Sequence, residues 1–322
     1  MSVPTTSPLP PSAGIIETEG LGRAFGELWA VRGLTLNVRR GEVFGLVGPD
    51  GAGKSTIIRM LTGILPPTEG AATVAGFPIE GGEEQLKTRI SYMSQRFGLY
   101  ADLTVEENLS FYGDLYEVPR RERGPLEERL LGFSNLTPFR KRLASNLSGG
   151  MKQKLGLACA LIHKPEILFL DEPTNGVDPA SRRDFWRILY AMLKEGVTVF
   201  VSTAYLDEAE RCSRVGLMHG GRMIQCDTPQ RLKQGIPGRL VELEAGQPRA
   251  ALEILSGRFD SGHVSLFGGK LHLYADSEEE VAQALAALGE AGIEVLGAKS
   301  IPPTLEDVFI QQVTHTPQEA VS

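Results

Sequence analysis

The residues with the most obvious chemistry are Gly48–Thr56, which read GPDGAGKST. Their spacing is that of a phosphate loop, G-x-x-x-x-G-K-[S/T]. Gly48, Gly53, Lys54 and Ser55 take its defining positions, and Pro49, Asp50, Gly51, Ala52 and Thr56 complete it. Glycines let successive backbone N–H groups curl around phosphate oxygens, where a Cβ would clash or forbid the φ angles required. A helix starting at the loop points its positive end at the anion. Lys54 is placed to neutralise the β and γ phosphates, and the Ser55 hydroxyl to ligate Mg²⁺. The expected ligand is Mg·ATP.

A second chemical element is Ile167–Pro173, reading ILFLDEP. An apolar strand ending in two acids delivers Asp171 to the sheet edge that carries the phosphate loop, suited to holding Mg²⁺ through water. Glu172 is then the natural candidate to orient or deprotonate an attacking water.

Both elements need a sheet behind them. Glu42–Val47 (EVFGLV) reads as a fully buried strand feeding the loop, and Ser55–Leu65 has helical periodicity stopped by Pro66 and Pro67. Before them, Gly14–Val38 holds short strand-like pieces. From 96 to about 150 the texture turns helical, with Thr104 and Glu107 spaced as a capping box. Strand-helix alternation then resumes: helix at Gly150–His163, strand at Glu166–Leu170, helix at Ala180–Glu195, strand at Val197–Ser202. This pattern predicts a mainly parallel α/β sheet covered by helices on both faces. From about 237 to 314, the alternating pieces RLVELEA, HVSLF and KLHLYA surround two helical patterns, predicting a small α+β appendix. Residues 1–13 and 315–322 read as tails, the first Ser/Thr/Pro-rich and unlike a signal peptide.

One more motif completes the set. Leu147–Met151 reads LSGGM before a helix, Gln95 lies in SYMSQRFGLY, and Asn175–Asp178 reads NGVD. With the phosphate loop and the DEP strand, in this order and spacing, residues 15–233 resemble the nucleotide-binding subunits of ATP-binding cassette (ABC) transporters. The resemblance implies a P-loop NTPase cassette with an N-terminal antiparallel β subdomain and a helical insertion. The cassette domain would span 14–236. It also implies that Ser148, Gly149 and Gly150 cap the γ-phosphate held by a partner subunit, so that two cassettes sandwich two ATPs. Gln95 would touch Mg²⁺ or the lytic water beside the contact to a membrane partner. Phe25 would stack on adenine, and Asp178 would communicate across the dimer. Asn is commoner than Asp50 at its position, and Gln than Met151. The main departure is Ala204 in VSTAYLDEAE, where the family places a His that contacts the γ-phosphate. Losing such a charge-assisted contact implies hydrolysis slower by roughly tenfold to a hundredfold.

Pro302–Val313 (PPTLEDVFIQQV) resembles the C-terminal phrase of cassette subunits from ABC-2-type exporters. The implied activity is ATP hydrolysis powering an exporter through a separate integral membrane permease, at the cytoplasmic face of the membrane. A second cassette, identical or different, would complete each site. Two other readings stay open: a soluble cassette ATPase with no transporter, and a mainly ATP-binding regulatory half of a heterodimer.

Composition limits the alternatives. A net charge of −7 argues against a nucleic-acid partner. Three scattered cysteines, Cys159, Cys212 and Cys226, offer neither a disulfide framework nor zinc spacing. No apolar run is long enough to span a bilayer.

Overall fold

The computed structural model describes residues 14–95, 98–236, 238–259 and 263–315, without the side chains of 314 and 315. The tail expected over 1–13 lies outside these residues, as does that over 315–322 except for His315, which closes the last helix. The chain divides into two compact units between Met223 and Ile224.

The first unit begins with strands β1 (Ile16–Phe25), β2 (Leu28–Val38) and β3 (Val43–Val47) and helix α1 (Lys54–Leu61). Next come β4 (Glu69–Val74), β5 (Phe77–Pro78), α2 (Glu83–Lys87) and β6 (Ile90–Met93). Three helices follow, α3 (Val105–Leu115), α4 (Arg120–Ser134) and α5 (Gly149–Ala160). The chain then resumes with β7 (Ile167–Asp171), α6 (Pro179–Lys194), β8 (Thr198–Thr203), α7 (Leu206–Ala209), β9 (Arg214–His219) and β10 (Arg222–Asp227). One sheet is antiparallel, in the order β2-β1-β4-β5. The other runs β10-β9-β3-β8-β7-β6, with β9, β3, β8, β7 and β6 parallel to one another.

Strands β3, β7 and β8 are buried along their whole length, which explains their nearly continuous apolar sequences. Phe44, Phe169 and Phe200 meet across them, with ring centroids 5.3 and 5.5 Å apart. The register aligns the strand ends: Val47 lies opposite Thr203 and Leu217, Asp171 opposite Ser202, and Met93 opposite Leu170. One edge therefore gathers the carboxyl ends of five parallel strands, where ligands bind in open α/β sheets.

Helix α1 stops at Leu61, short of the Leu65 expected from sequence. Thr62 is its C-cap and Gly63 follows at φ 70°. A left-handed glycine ends a helix before the later proline pair can act. The Thr104–Glu107 capping box is present on α3. Within that insertion Asn108 is fully buried; its Nδ2 donates to the carbonyls of Tyr100, Leu103 and Thr104, while its Oδ1 accepts from Tyr100 N–H. Tyr112 adds a bond to the Gly98 carbonyl at 2.7 Å, so α3 ties down the segment that follows Gln95. The arginines at 120, 121 and 123 open α4, and Arg123 binds the Val118 carbonyl and Asp114.

The second unit continues with α8 (Pro229–Gln234), β11 (Arg239–Ala245), α9 (Pro248–Ser256), β12 (Val264–Phe267) and β13 (Lys270–Ala275). It closes with α10 (Glu278–Glu290), β14 (Val295–Ile301) and α11 (Leu305–His315). Its antiparallel sheet is ordered β12-β13-β11-β14, and one face packs Val241, Leu243, Leu271 and Leu273 against Leu255 of α9 and Leu288 of α10. Thr304 caps α11 through Asp307, which also bonds the buried His272 ring of β13 at 2.7 Å. Helix α8 packs on α11, burying Leu232. For that reason the unit begins before residue 237, the boundary expected from sequence.

Glu166, just before β7, accepts from Arg40 at 2.8 Å and Arg89 at 2.6 Å. Partial burial pushes its carboxyl up, but the two guanidinium bonds outweigh burial and hold it below the usual value. A lowered folded pKa stabilises above the unfolded value of about 4.3 and loses that contribution as pH falls through the folded one. Glu166→Gln should therefore unfold more easily than the wild type at pH 7, with the gap closing below about pH 4.3. Urea titrations across this range check it; a gap independent of pH would refute the role given to the two arginines.

Candidate nucleotide site

The phosphate loop leaves the end of β3 and enters α1. Gly53, the N-cap, sits at φ 97°, and a Cβ on it would lie 2.4 Å from the Ala30 carbonyl oxygen. Gly48 is equally confined, with the Met218 carbonyl 2.4 Å from a Cβ position. Only glycine fits either place. Helix α1 has no side-chain cap and no acid in its first turn. By contrast, Thr104, Ser148, Asp178, Thr228 and Ser277 each cap a helix with a side-chain oxygen. The first N–H groups of α1 are thus left for an anion. They open on a cleft of about 520 Å³ lined by Ala30, residues 50–56, Gln95, Glu172 and Asn175.

Lys54 is 4% exposed, and its Nζ donates to the Gly48 carbonyl at 2.8 Å and the Pro49 carbonyl at 3.0 Å. Its third contact is Glu172 Oε1 at 3.1 Å. The cation is therefore held on the loop's inner side by its own backbone.

Asp171 is 2% exposed and accepts from Ser55 Oγ at 2.9 Å, Ser202 Oγ at 2.7 Å and Tyr92 OH at 3.4 Å. Burial, and then the Asp171 carboxylate, push the Tyr92 phenol up, so it remains a neutral donor. Among the described residues, no cationic side chain pairs with Asp171. A buried carboxylate satisfied only by neutral hydroxyls is electrostatically suited to a cation. No group of three His, Cys, Asp or Glu able to hold a metal occurs among the described residues. Mg²⁺ does not require one, since it is commonly held by one or two protein oxygens together with substrate phosphates and water. Ser55 and Asp171 fit that requirement.

Glu172 adopts φ 47°, a left-handed conformation costing an L-residue about 1–2 kcal/mol. Its N–H is held there by Ser202, at 3.0 Å to Oγ and 3.2 Å to the carbonyl. Ser202 thus supports both acids at once. Gln95 is exposed, and its Nε2 donates to Glu172 Oε2 at 3.0 Å rather than joining Ser55 and Asp171.

Five expected participants, Phe25, Ser148, Gly149, Gly150 and Asp178, stand apart from the cleft lining. Phe25 is 49% exposed at the end of β1, with the Arg23 guanidinium 4.9 Å over its ring; it is no core residue. Ser148 caps α5 by accepting from Met151 N–H at 3.3 Å, and Gly149 and Gly150 form the first turn. Gly149 borders a different groove, shared with Gln95, Leu99 and Lys152. Asp178 caps α6 through Ser181 N–H at 2.9 Å. Ala204 is exposed between Thr203 and Tyr205 and presents only a methyl group. Ser202 and Tyr92 are the two functional residues that the motifs do not single out. Ser202 carried a signal, as a polar residue closing an apolar strand; Tyr92 carried none.

An uncapped helix start behind a glycine-rich loop, with a buried lysine and a strand-end Asp–Glu pair, defines a P-loop nucleotide-binding cassette. The surrounding sheets and the helical insertion agree with that class. The chain belongs to the family of ATP-binding subunits of ABC transporters. Residues 31–175 match the ABC transporter family, and 228–313 match the ATP-binding protein DrrA1-3-like, C-terminal domain. The Nod factor export ATP-binding protein I of Rhizobium meliloti (strain 1021) is 35% identical over 313 residues, covering 97% of this chain and 91% of that protein. The probable multidrug ABC transporter ATP-binding protein YbhF of Escherichia coli (strain K12) is 50% identical over 210 residues. That match covers 65% of this chain but 36% of YbhF, so the chain spans little more than a third of that relative. Among solved structures, cbiO1 from Clostridium perfringens, part of the ABC transporter complex cbiONQ, aligns with TM-score 0.64 and 28% identity over 70% of this chain and 92% of its own. The ADP conformation of MJ1267, an ATP-binding cassette of an ABC transporter, aligns with TM-score 0.61 and 27% identity over 68% and 93%.

Ser202→Ala would remove one donor to Asp171 and one acceptor for the Glu172 N–H. Unfolding free energy should fall by about 1–3 kcal/mol, the cost of leaving buried polar groups unpaired. ATP affinity should drop with Mg²⁺ present and change little in EDTA. Urea unfolding and nucleotide titration measure the two effects; equal losses with and without the metal would contradict this role.

Proposed function

We propose that this chain binds Mg·ATP at Gly48–Thr56 and hydrolyses it to ADP and phosphate, powering an ABC-2-type exporter through a separate membrane subunit. The observation that carries the reading is the uncapped start of α1, opening on the same cleft as Lys54 and Glu172. In the proposed reaction the loop N–H groups and Lys54 bind the β and γ phosphates. Ser55 and Asp171, with Gln95 nearby, would hold Mg²⁺, which neutralises charge on the transferring phosphoryl group. Glu172 orients the attacking water and takes its proton. Because Glu172 pairs with Lys54, phosphate arriving at Lys54 frees that carboxylate oxygen for the water.

Ser148, Gly149 and Gly150 do not line the cleft over the phosphate loop of their own chain. Their proposed role is to cap ATP bound to a second cassette, in a head-to-tail pair that is either homo- or heterodimeric. The exporter assignment draws on the Nod factor export relatives, aligned along almost the whole chain, and on the DrrA-like second unit. Among the described residues no helix is long and apolar enough to cross a membrane. The membrane-spanning part is therefore proposed as a partner, with this chain docked at its cytoplasmic face.

Glu172→Gln tests the chemistry directly. Its steady-state ATPase rate should fall by about 10²–10⁴-fold, the usual worth of a general base, while ATP binding persists. An undiminished rate would rule out Glu172 as the base. A second reading, a cassette that binds ATP better than it hydrolyses it, is favoured by the bare methyl of Ala204. Ala204→His should then raise turnover by roughly tenfold to a hundredfold. No gain would dismiss the weakened-site account and leave full hydrolysis as the better description.

A further inference from the structure

A second polar cluster lies behind Glu172. Glu208, in α7, is fully buried and accepts from Thr174 Oγ1 at 2.5 Å and Thr203 Oγ1 at 2.9 Å, with Arg182 Nε at 3.4 Å. It thereby clamps the segment after β7 to the segment after β8. Tyr205 projects from this clamp. Its N–H bonds Thr203 Oγ1 at 3.0 Å, and its ring lies under the Arg182 guanidinium at 4.5 Å. Its hydroxyl donates to Asn175 Oδ1 at 3.3 Å, and Asn175 Nδ2 reaches Glu172 Oε2 at 3.5 Å. The orientation of the Asn175 amide follows from chemistry. A carboxylate only accepts, so Nδ2 must face Glu172, which leaves Oδ1 for the phenol.

We propose that Tyr205 and Asn175 are positioning residues for hydrolysis: Tyr205 holds the Asn175 amide, and Asn175 orients the Glu172 carboxylate. The proposal rests on the reading of Glu172 as the water-activating group. Glu172 has three side-chain partners in this structure, and two of them are not built to hold it during reaction. Lys54 faces the phosphate site, and Gln95 is exposed. Asn175 is exposed as well, but among the three it alone is backed by a side chain anchored in the clamp: Tyr205, itself 37% exposed, lies under an arginine paired to a buried glutamate. It is also tied locally, since its own N–H donates to the Glu172 carbonyl at 3.2 Å. Bonds of 3.3 and 3.5 Å are long, but catalytic hydrogen bonds commonly tighten once substrate is bound.

The test uses the full chain and measures kcat, KM for Mg·ATP and ATP affinity. Tyr205→Phe and Asn175→Ala should each lower kcat about three- to tenfold with KM and affinity unchanged. The double variant should lose no more than the worse single one, because the two residues act in series. The split between kcat and KM is the readout that a purely structural role would not produce, since loss of fold or of nucleotide binding would move KM and affinity as well. Unchanged kcat in Tyr205→Phe, a fall in affinity that accounts for the lost rate, or multiplicative losses in the double variant would each overturn the proposal. A wild-type chain that binds ATP without turnover would defeat the hydrolysis reading as well. Turnover that Glu172→Gln abolishes and Tyr205→Phe leaves intact would defeat this inference alone.

Discussion

The Asp171 carboxylate is the interaction on which the rest of the site depends. It is buried, it bears no ion pair among the described residues, and three hydroxyls from three different elements converge on it. Ser55 comes from α1, Tyr92 from β6 and Ser202 from β8. Such convergence requires β6, β7 and β8 to end in register and α1 to start at the same edge. Strand order makes this possible, because β8 lies between β3 and β7 and Ser202 occupies the gap. A slip of one residue in β7 would turn Asp171 to the opposite face and separate it from all three donors.

The neighbouring residue carries the strain. Glu172 turns left-handed as the strand ends, and Ser202 holds its N–H in that conformation. The conformation costs about 1–2 kcal/mol, which the buried sheet must offset. Strained residues of this kind concentrate at functional sites because only a surrounding structure that over-determines them can keep them there. The glycines of the phosphate loop remain glycine for the complementary reason: carbonyls of neighbouring strands occupy the space a side chain would need.

Much of the cassette was legible in its residues. The loop, the DEP strand and the capping box are local patterns whose physics operates over a few residues, and each lies where its spacing implied. Differences arise where a nearer stop signal or a distant partner decides the outcome. Helix α1 ends at a left-handed glycine rather than at the proline pair. Helix α8, which lies before residue 237, belongs with the second unit because it finds its partner in α11. Strand β14 was not anticipated, since VLGAKSI is mostly exposed and alternates weakly; its pairing with β11 is what makes it a strand. Arg123 is held by Asp114 near the end of α3 and by the Val118 carbonyl, partners that residue spacing alone does not pair.

By itself, then, the amino-acid sequence determined the chemical inventory: a phosphate-binding loop, a lysine, two acids and a signature that its own chain leaves away from the cleft. Each of these is written in contiguous residues, and short-range sterics and hydrogen bonding suffice to specify them. Only the tertiary structure decided how Asp171 is satisfied, that Gln95 contacts Glu172 rather than Asp171, and that Tyr205 stands behind Asn175. Those contacts join residues from about 30 to more than 100 positions apart. Their existence depends on sheet register and strand order, which arise from burial of the whole core and from no single segment of it.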